Sequence, residues 1–320
     1  INRRPSEEVS LAGHQRSGLS PLFCLPGEKM RLFHQAELVA RAKQRQAIDW
    51  LMRKTWFRRR HQSFFGRDTI DITMRCGAEI FSFQPRELIG KHLYVRGEWQ
   101  RSLVDDALAV LTANYLLKTN SCLMELGANI GTQSVYLMKS GLFRNIVAVE
   151  AHPANYRLLL RNLSQNGCEG CSTAMNVAVA ESDGVIELFT SSDNEGGHSA
   201  VVRHRDGTSI KVPSRTIHSI MREAGVDKAD VGFFWIDIEG MEFEILRSIV
   251  AELGTAIPVL LEFSPRFYGV EKTRAFREFL ETNFRYCMPV PLSGAPTVKT
   301  LTRDFHANGS QHDILVFNEN

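Results

Sequence analysis

Between Gln35 and about Arg60, Leu38, Val39, Ala42, Ile48, Leu51, Met52 and Trp56 recur at helical spacing with many Arg and Lys between them. The pattern predicts a basic helix that ends in Arg58-Arg59-Arg60-His61. Ile70, Ile72 and Met74 then alternate with polar neighbours, Gly77 interrupts, and Ala78 to Phe83 resumes the alternation, which predicts a short hairpin. After Pro85 a glycine-punctuated link leads into a helix over 100–117, rich in Ala, Leu and Val. Residues 1–35 mix Ser, Gly, Pro and charge without a sustained period and read as a tail.

From Ser121 the rhythm changes to short apolar runs separated by helical segments, the pattern of an α/β fold with a mostly parallel sheet and helices on both faces. The predicted strands are Cys122–Leu126, Asn145–Glu150, Ala174–Val179, Val231–Asp237, Pro258–Phe263 and Asp313–Phe317. Helices are predicted at about 131–140, 153–165, 215–224, 241–252 and 271–282. Val185–Phe189 and Ser209–Val212 read as an extra strand pair between the third and fourth core strands. The division this suggests is a basic N-terminal extension over 1–98, with tail, helix and hairpin, followed by an α/β domain over 99–320.

Composition supports one large core, with 43% apolar residues in 320. The formal charge of +2 hides an asymmetry: residues 1–100 carry 18 Lys/Arg against 10 Asp/Glu, and the remainder 20 against 26. The basic surplus belongs to the N-terminal third, where a solvated face on a packing helix is a plainer reading than a nucleic-acid or lipid contact. No stretch approaches the roughly 20 apolar residues of a membrane-spanning helix, and no signal core follows Ile1, so a soluble cytoplasmic protein is expected. Cys168-Glu169-Gly170-Cys171 is a lone C-x-x-C without a second pair or a His pair at ligand spacing, and no metal is expected.

In an open α/β sheet ligands lie beyond the C-terminal ends of the strands, so the residues closing each strand carry the chemistry. Glu125-Leu126-Gly127-Ala128-Asn129-Ile130-Gly131 follows a strand and opens a helix. Gly127 permits a tight turn and close ligand approach, and Gly131 lets the helix start near the sheet. Asn129 stands where a dinucleotide fingerprint has its middle glycine, and Glu125 repels phosphate while suiting the ammonium of a methionine moiety. The pair favours S-adenosylmethionine over NAD. Glu150 closes the next strand 23 positions after Gly127, near the spacing expected of an acid that binds a ribose diol. Asp237 and Glu239 close the fourth strand, facing the reactive end. Glu262 closes the fifth, where a catalytic and a merely structural carboxylate are equally consistent with the sequence.

These pieces resemble the FkbM family of class I methyltransferases. The resemblance rests on the 125–131 loop, Val149-Glu150-Ala151-His152-Pro153, Asn176-Val177-Ala178-Val179, Val212-Pro213-Ser214-Arg215-Thr216-Ile217 and Ile236-Asp237-Ile238-Glu239-Gly240-Met241-Glu242. It extends to Asp313–Phe317 and spans about two thirds of the chain. It implies a Rossmann-like sheet and S-adenosylmethionine held by Glu125, Gly127, Ala128, Asn129, Gly131, Glu150, Ala151, Val177 and Ala178. It also implies O-methylation of a sugar or secondary-metabolite hydroxyl. Two positions depart from the family pattern: Trp235 replaces the usual Lys before Ile-Asp, and His218 replaces the Asp after Arg-Thr-Ile.

An alcohol must lose its proton on methylation, so a nearby carboxylate or His is expected. Asp237 is the first candidate, followed by Glu239, His218 and His198, the last in a glycine-containing loop. Plainer roles stay open, with Asp237 on the cofactor's amino group and Glu239 capping the next helix. The rival functions are a nicotinamide-dependent oxidoreductase and a nucleic-acid-associated methyltransferase using the Arg41–Arg60 segment. The chain has no Asn-Pro-Pro-Tyr-like motif, which disfavours the latter. A small-molecule hydroxyl acceptor is the expected partner, and the oligomeric state is not legible.

Overall fold

The computed structural model describes residues 43, 54, 58, 70–189, 208–290 and 311–319. The chain divides into two compact units, 1–57 and 58–320, and the second holds every element named below. The basic helix expected over 35–60 lies almost wholly outside the described residues.

A seven-stranded sheet has the order β11-β12-β10-β9-β3-β4-β5. Its strands are β3 (Cys122–Leu126), β4 (Asn145–Val149), β5 (Ser172–Met175), β9 (Val231–Ile236), β10 (Val259–Phe263), β11 (Tyr286–Val290) and β12 (His312–Phe317). Strands β5, β4, β3, β9 and β10 run parallel, and β12 inserts antiparallel between β10 and β11. The chain winds outward from β3 through β4 to β5, and from β9 through β10 in the other direction. The order therefore reverses between β3 and β9, and a crevice opens there.

Strands β3, β9 and β10 are buried along their whole length, as strands covered on both faces must be. Alternate residues serve alternate faces. Met124, Leu126, Phe234, Ile236, Leu261 and Phe263 share one core with α5 (Ile217–Ala224), α6 (Glu242–Leu253) and α7 (Pro265–Asn283). Leu123, Glu125 and Trp235 point to the opposite face, the side of α3 (Thr132–Lys139), which packs against α2 (Arg101–Ala113) and α4 (Pro153–Gln165).

The predicted hairpin is present as β1 (Ile72–Cys76) and β2 (Glu79–Phe83), and α1 (Leu88–Arg96) follows it where a link was expected. The single strand predicted over 174–179 is two. β5 ends at Met175, and β6 (Ala178–Val179) joins β8 (Ser209–Arg215) and β7 (Gly184–Phe189) in a separate three-stranded sheet. Asn176 makes this corner, its side-chain amide donating to the backbone oxygens of Glu150 and Ala151 at 2.8 and 3.0 Å. Helix α7 begins at Pro265, earlier than predicted, with a kink at Gly269, and β11 was not predicted. Among the described residues no helix is long and apolar enough to cross a membrane.

Candidate active site

The turn after β3 is set by close approach. Gly127 has φ 89°, and a Cβ on it would stand 1.8 Å from the backbone oxygen of Asp237, so no side chain fits. Gly127 and Ala128 donate their N–H groups to Val149 O, both at 2.9 Å, and Asp237 donates to Leu126 O at 2.9 Å. The ends of β4, β3 and β9 are thereby pinned side by side. Asn129 takes a left-handed conformation (φ 50°), which Asn tolerates better than most residues.

That conformation aims the Asn129 N–H at the Glu150 carboxylate, 2.8 Å away, while the N–H of His152 reaches its other oxygen at 2.7 Å. A carboxylate has about four acceptor positions. With one backbone donor on each oxygen, Glu150 keeps capacity for two hydroxyl donors. Burial pushes its pKa up to about 7, and the two N–H groups oppose the shift.

A cavity of about 650 Å³ lies over the reversal point between β3 and β9. Gly127 and Asn129 form its floor, with Val149, Glu150 and Ala151 on one side. Asp237, Ile238, Glu239 and Met241 stand on the other, and Val177, Ala178, Ile186 and Leu188 from the small sheet complete the wall.

At the β9 side, carboxylate oxygens of Asp237, Glu239 and Glu262 lie within 4.8 Å of one another. Burial raises Asp237 well above the ordinary carboxylate range, helped by Glu262, Glu239 and Asp313, and like-charge crowding lets the protonated form donate to Glu262. Burial first and Glu262 second push Glu239 up to about 8, and Asp313, paired in register with Glu262, up to about 7. Ser264 Oγ donates to Glu262 at 2.6 Å. The same spacing suits a shared proton or a hard cation.

Glu239 has φ 51° and faces the cavity; α6 has no side-chain cap, and Glu242 at its first position braces the segment before it. The fully buried Glu242 carboxylate accepts from Ile238 N at 3.1 Å and Gly240 N at 3.0 Å, and Tyr268 Oη donates to it at 2.7 Å.

Six of the expected cofactor residues line the cavity: Gly127, Asn129, Glu150, Ala151, Val177 and Ala178. Glu125 does not. Strand alternation turns it to the α3 face, where Ser134 Oγ donates to it and burial pushes its pKa up to about 8. Ala128 and Gly131 also lie off the cavity lining, and a Cβ on Gly131 would meet Leu159 of α4 at 2.6 Å. Asp237 and Glu239 line the cavity, whereas His218 stands on α5, its side chain 62% exposed and 3.0 Å from Glu252. The exposed pairing corrects the expectation of His218 at the reacting centre, and His198 lies outside the described residues. Sequence reading missed Asn155, Ile186, Leu188 and Met241 in the lining and Tyr268 beneath it. Of the residues that support the site, Glu242 carried a readable signal, in the position of an acid opening a helix.

An open sheet with a cavity over its reversal point, an acid closing β4 and acids closing β9 and β10 define a Rossmann-like, class I methyltransferase architecture. The model of the methyltransferase FkbM domain matches residues 125–286, and the chain belongs to that family. Methyltransferase sdnD of Sordaria araneosa is 26% identical over 164 residues, which are 42% of this chain and 63% of that protein. The chain thus aligns with less than two thirds of that relative's length. Among solved structures, M. jannaschii TYW2 in complex with AdoMet is similar at 10% identity and TM-score 0.40, over 79% of this chain and 87% of that one. The precorrin-6y C5,15-methyltransferase of Geobacter metallireducens is similar at 14% identity and TM-score 0.34, over 66% and 86%.

Proposed function

We propose that this chain methylates a hydroxyl group of a small molecule, a sugar or secondary metabolite, using S-adenosylmethionine. The observation that carries the reading is Glu150, whose carboxylate is oriented by two backbone N–H groups and keeps two acceptor positions for a vicinal diol. Gly127 fits the same ligand, because its missing Cβ brings the backbone of β3 and β9 together beneath the cavity. Val177, Ala178, Ile186 and Leu188 offer an apolar wall suited to a planar base. Asn129, Glu150 and Ala151 would hold the adenosyl part, and Asp237 and Glu239 would face the methionyl part.

Bound S-adenosylmethionine would supply an electrophilic methyl group on a sulfonium. The protein's task is then to align the acceptor oxygen, an effect worth on the order of 7–11 kcal/mol in favourable systems. Its second task is to take the hydroxyl proton. Asp237 and Glu239, both raised by burial and by neighbouring acids, are the candidate bases, each acting in its ionised form.

Calorimetric titration with S-adenosylhomocysteine and with NADH tests the cofactor, and binding of NADH alone would overturn the reading. Incubation of metabolite extracts with labelled cofactor identifies the acceptor. Against that acceptor, Asp237→Asn is expected to lower turnover by about 100-fold or more while cofactor affinity persists. Wild-type turnover in this variant would remove Asp237 as the base.

A further inference from the structure

Asn162 in the last turn of helix α4 and Asn166 at its C-cap stand one turn apart, so both face the same way. They face β2. Asn166 accepts from Ile80 N at 3.0 Å and donates to Ile80 O at 2.7 Å. Asn162 repeats the pattern on Ser82, accepting from its N–H at 2.6 Å and donating to its O at 3.0 Å. Two side-chain amides thus satisfy the hairpin's edge as a neighbouring strand would. Phe81, buried between them, meets the Tyr136 ring of α3 edge-on at 5.7 Å.

The two asparagines differ in where the second Nδ2 bond goes. Asn166 donates back to Asn162 O at 2.8 Å, within its own helix, whereas Asn162, with no exposed surface, donates to Ile130 O at 2.7 Å. Ile130 follows Asn129, whose N–H orients Glu150, and precedes the start of α3. A narrow crevice between Phe83, Gly90 and Ile130 shares Asn129 and Asn155 with the main cavity.

We propose that Asn162 is a positioning residue for the cofactor, clamping the 125–131 loop and the β1–β2 hairpin to α4 through one amide. The hairpin and α1 are then a working part of the binding unit and not an appendage to it. The proposal rests on the S-adenosylmethionine reading above, which the experiment tests separately.

S-adenosylhomocysteine affinity is measured by calorimetry for the full chain, for Asn162→Ala and for Asn166→Ala, with thermal melting alongside. Both variants lose hairpin bonds, and both are expected to melt lower. Only Asn162→Ala releases the loop carbonyl, so it is expected to bind about tenfold more weakly while Asn166→Ala stays within about twofold of wild type. Should Asn162→Ala not fold, Asn162→Asp serves. It keeps the acceptor toward Ser82 and presents a carboxyl to Ile130, and its defect is expected to deepen as pH rises and that carboxyl ionises. A wild-type chain that does not bind S-adenosylhomocysteine overturns the methyltransferase reading and this proposal with it. A binding wild type with an unchanged affinity in the Asn162 variant, or an equal loss in Asn166→Ala, overturns the positioning role alone.

Discussion

Glu125 illustrates how one residue's chemistry depends on which way its strand turns it. Its register partner on β9 is Trp235, 2% exposed, at the position where FkbM relatives usually carry Lys. The carboxyl lies against Ser134, and burial pushes its pKa up to about 8. The unfolded chain holds this group near the ordinary carboxylate value, so between that value and about 8 the folded protein binds the extra proton. Glu125 therefore contributes its stability at low pH and loses it as pH rises through about 8. Glu125→Gln, which keeps a partner for Ser134 and cannot ionise, is expected to flatten the fall in melting temperature between roughly pH 5 and 8.5. Identical pH profiles for variant and wild type would show that this carboxyl does not ionise in the fold.

At the scale of elements, the α6 entry shows the strongest dependence of the site on its support. Glu242 ties Ile238 and Gly240 together at the helix N-terminus, and Tyr268 of α7 supplies a third donor. Tyr268→Phe is expected to cost roughly 1.5–3 kcal/mol, lowering the melting temperature by several degrees. In a Glu242→Gln background the same change should cost much less, and additive losses in the double-mutant cycle would show that the pair is uncoupled. The elements themselves were legible wherever an apolar run matched its burial. β3, β4, β9 and β10 are buried strands whose ends fall within about a residue of the runs that predict them. Helix α1 was hidden because Gly90 reads as a breaker, yet a Cβ there would stand 1.8 Å from Gln84 O, so packing selects glycine inside the helix. β11 contains Pro289, which argues against a strand, and the 174–179 run concealed a corner that Asn176 makes by side-chain bonds. The candidate site was legible in its strand-end acids and glycine turn, because those follow from chain position. Glu125's direction, Asn162's clamp and the Ile186–Leu188 wall depend on contacts between distant segments, which periodicity does not encode.

The whole molecule carries a formal charge of +2, yet it gathers Glu150, Asp237, Glu239, Glu262 and Asp313 around one crevice. Burial keeps several of these acids protonated near neutrality, with Glu150 and Asp313 pushed up to about 7 and Glu239 up to about 8. A sulfonium brought close to them favours their ionised forms, so its binding must release protons. Affinity linked to proton release rises with pH until the acids are already ionised in the free protein. S-adenosylhomocysteine has the same adenosyl and amino-acid groups and lacks the methyl group and with it the sulfonium charge, so the pH dependence of the comparison reports the electrostatic contribution. The preference for S-adenosylmethionine over S-adenosylhomocysteine is therefore expected to grow several-fold between roughly pH 6 and 8 and then level off. Calorimetry in two buffers of different ionisation enthalpy should detect the released protons directly, and Glu239→Gln should shrink both effects. A preference that stays constant across this range would place the acids out of electrostatic reach of the sulfur, leaving them the acceptor's proton as their remaining task.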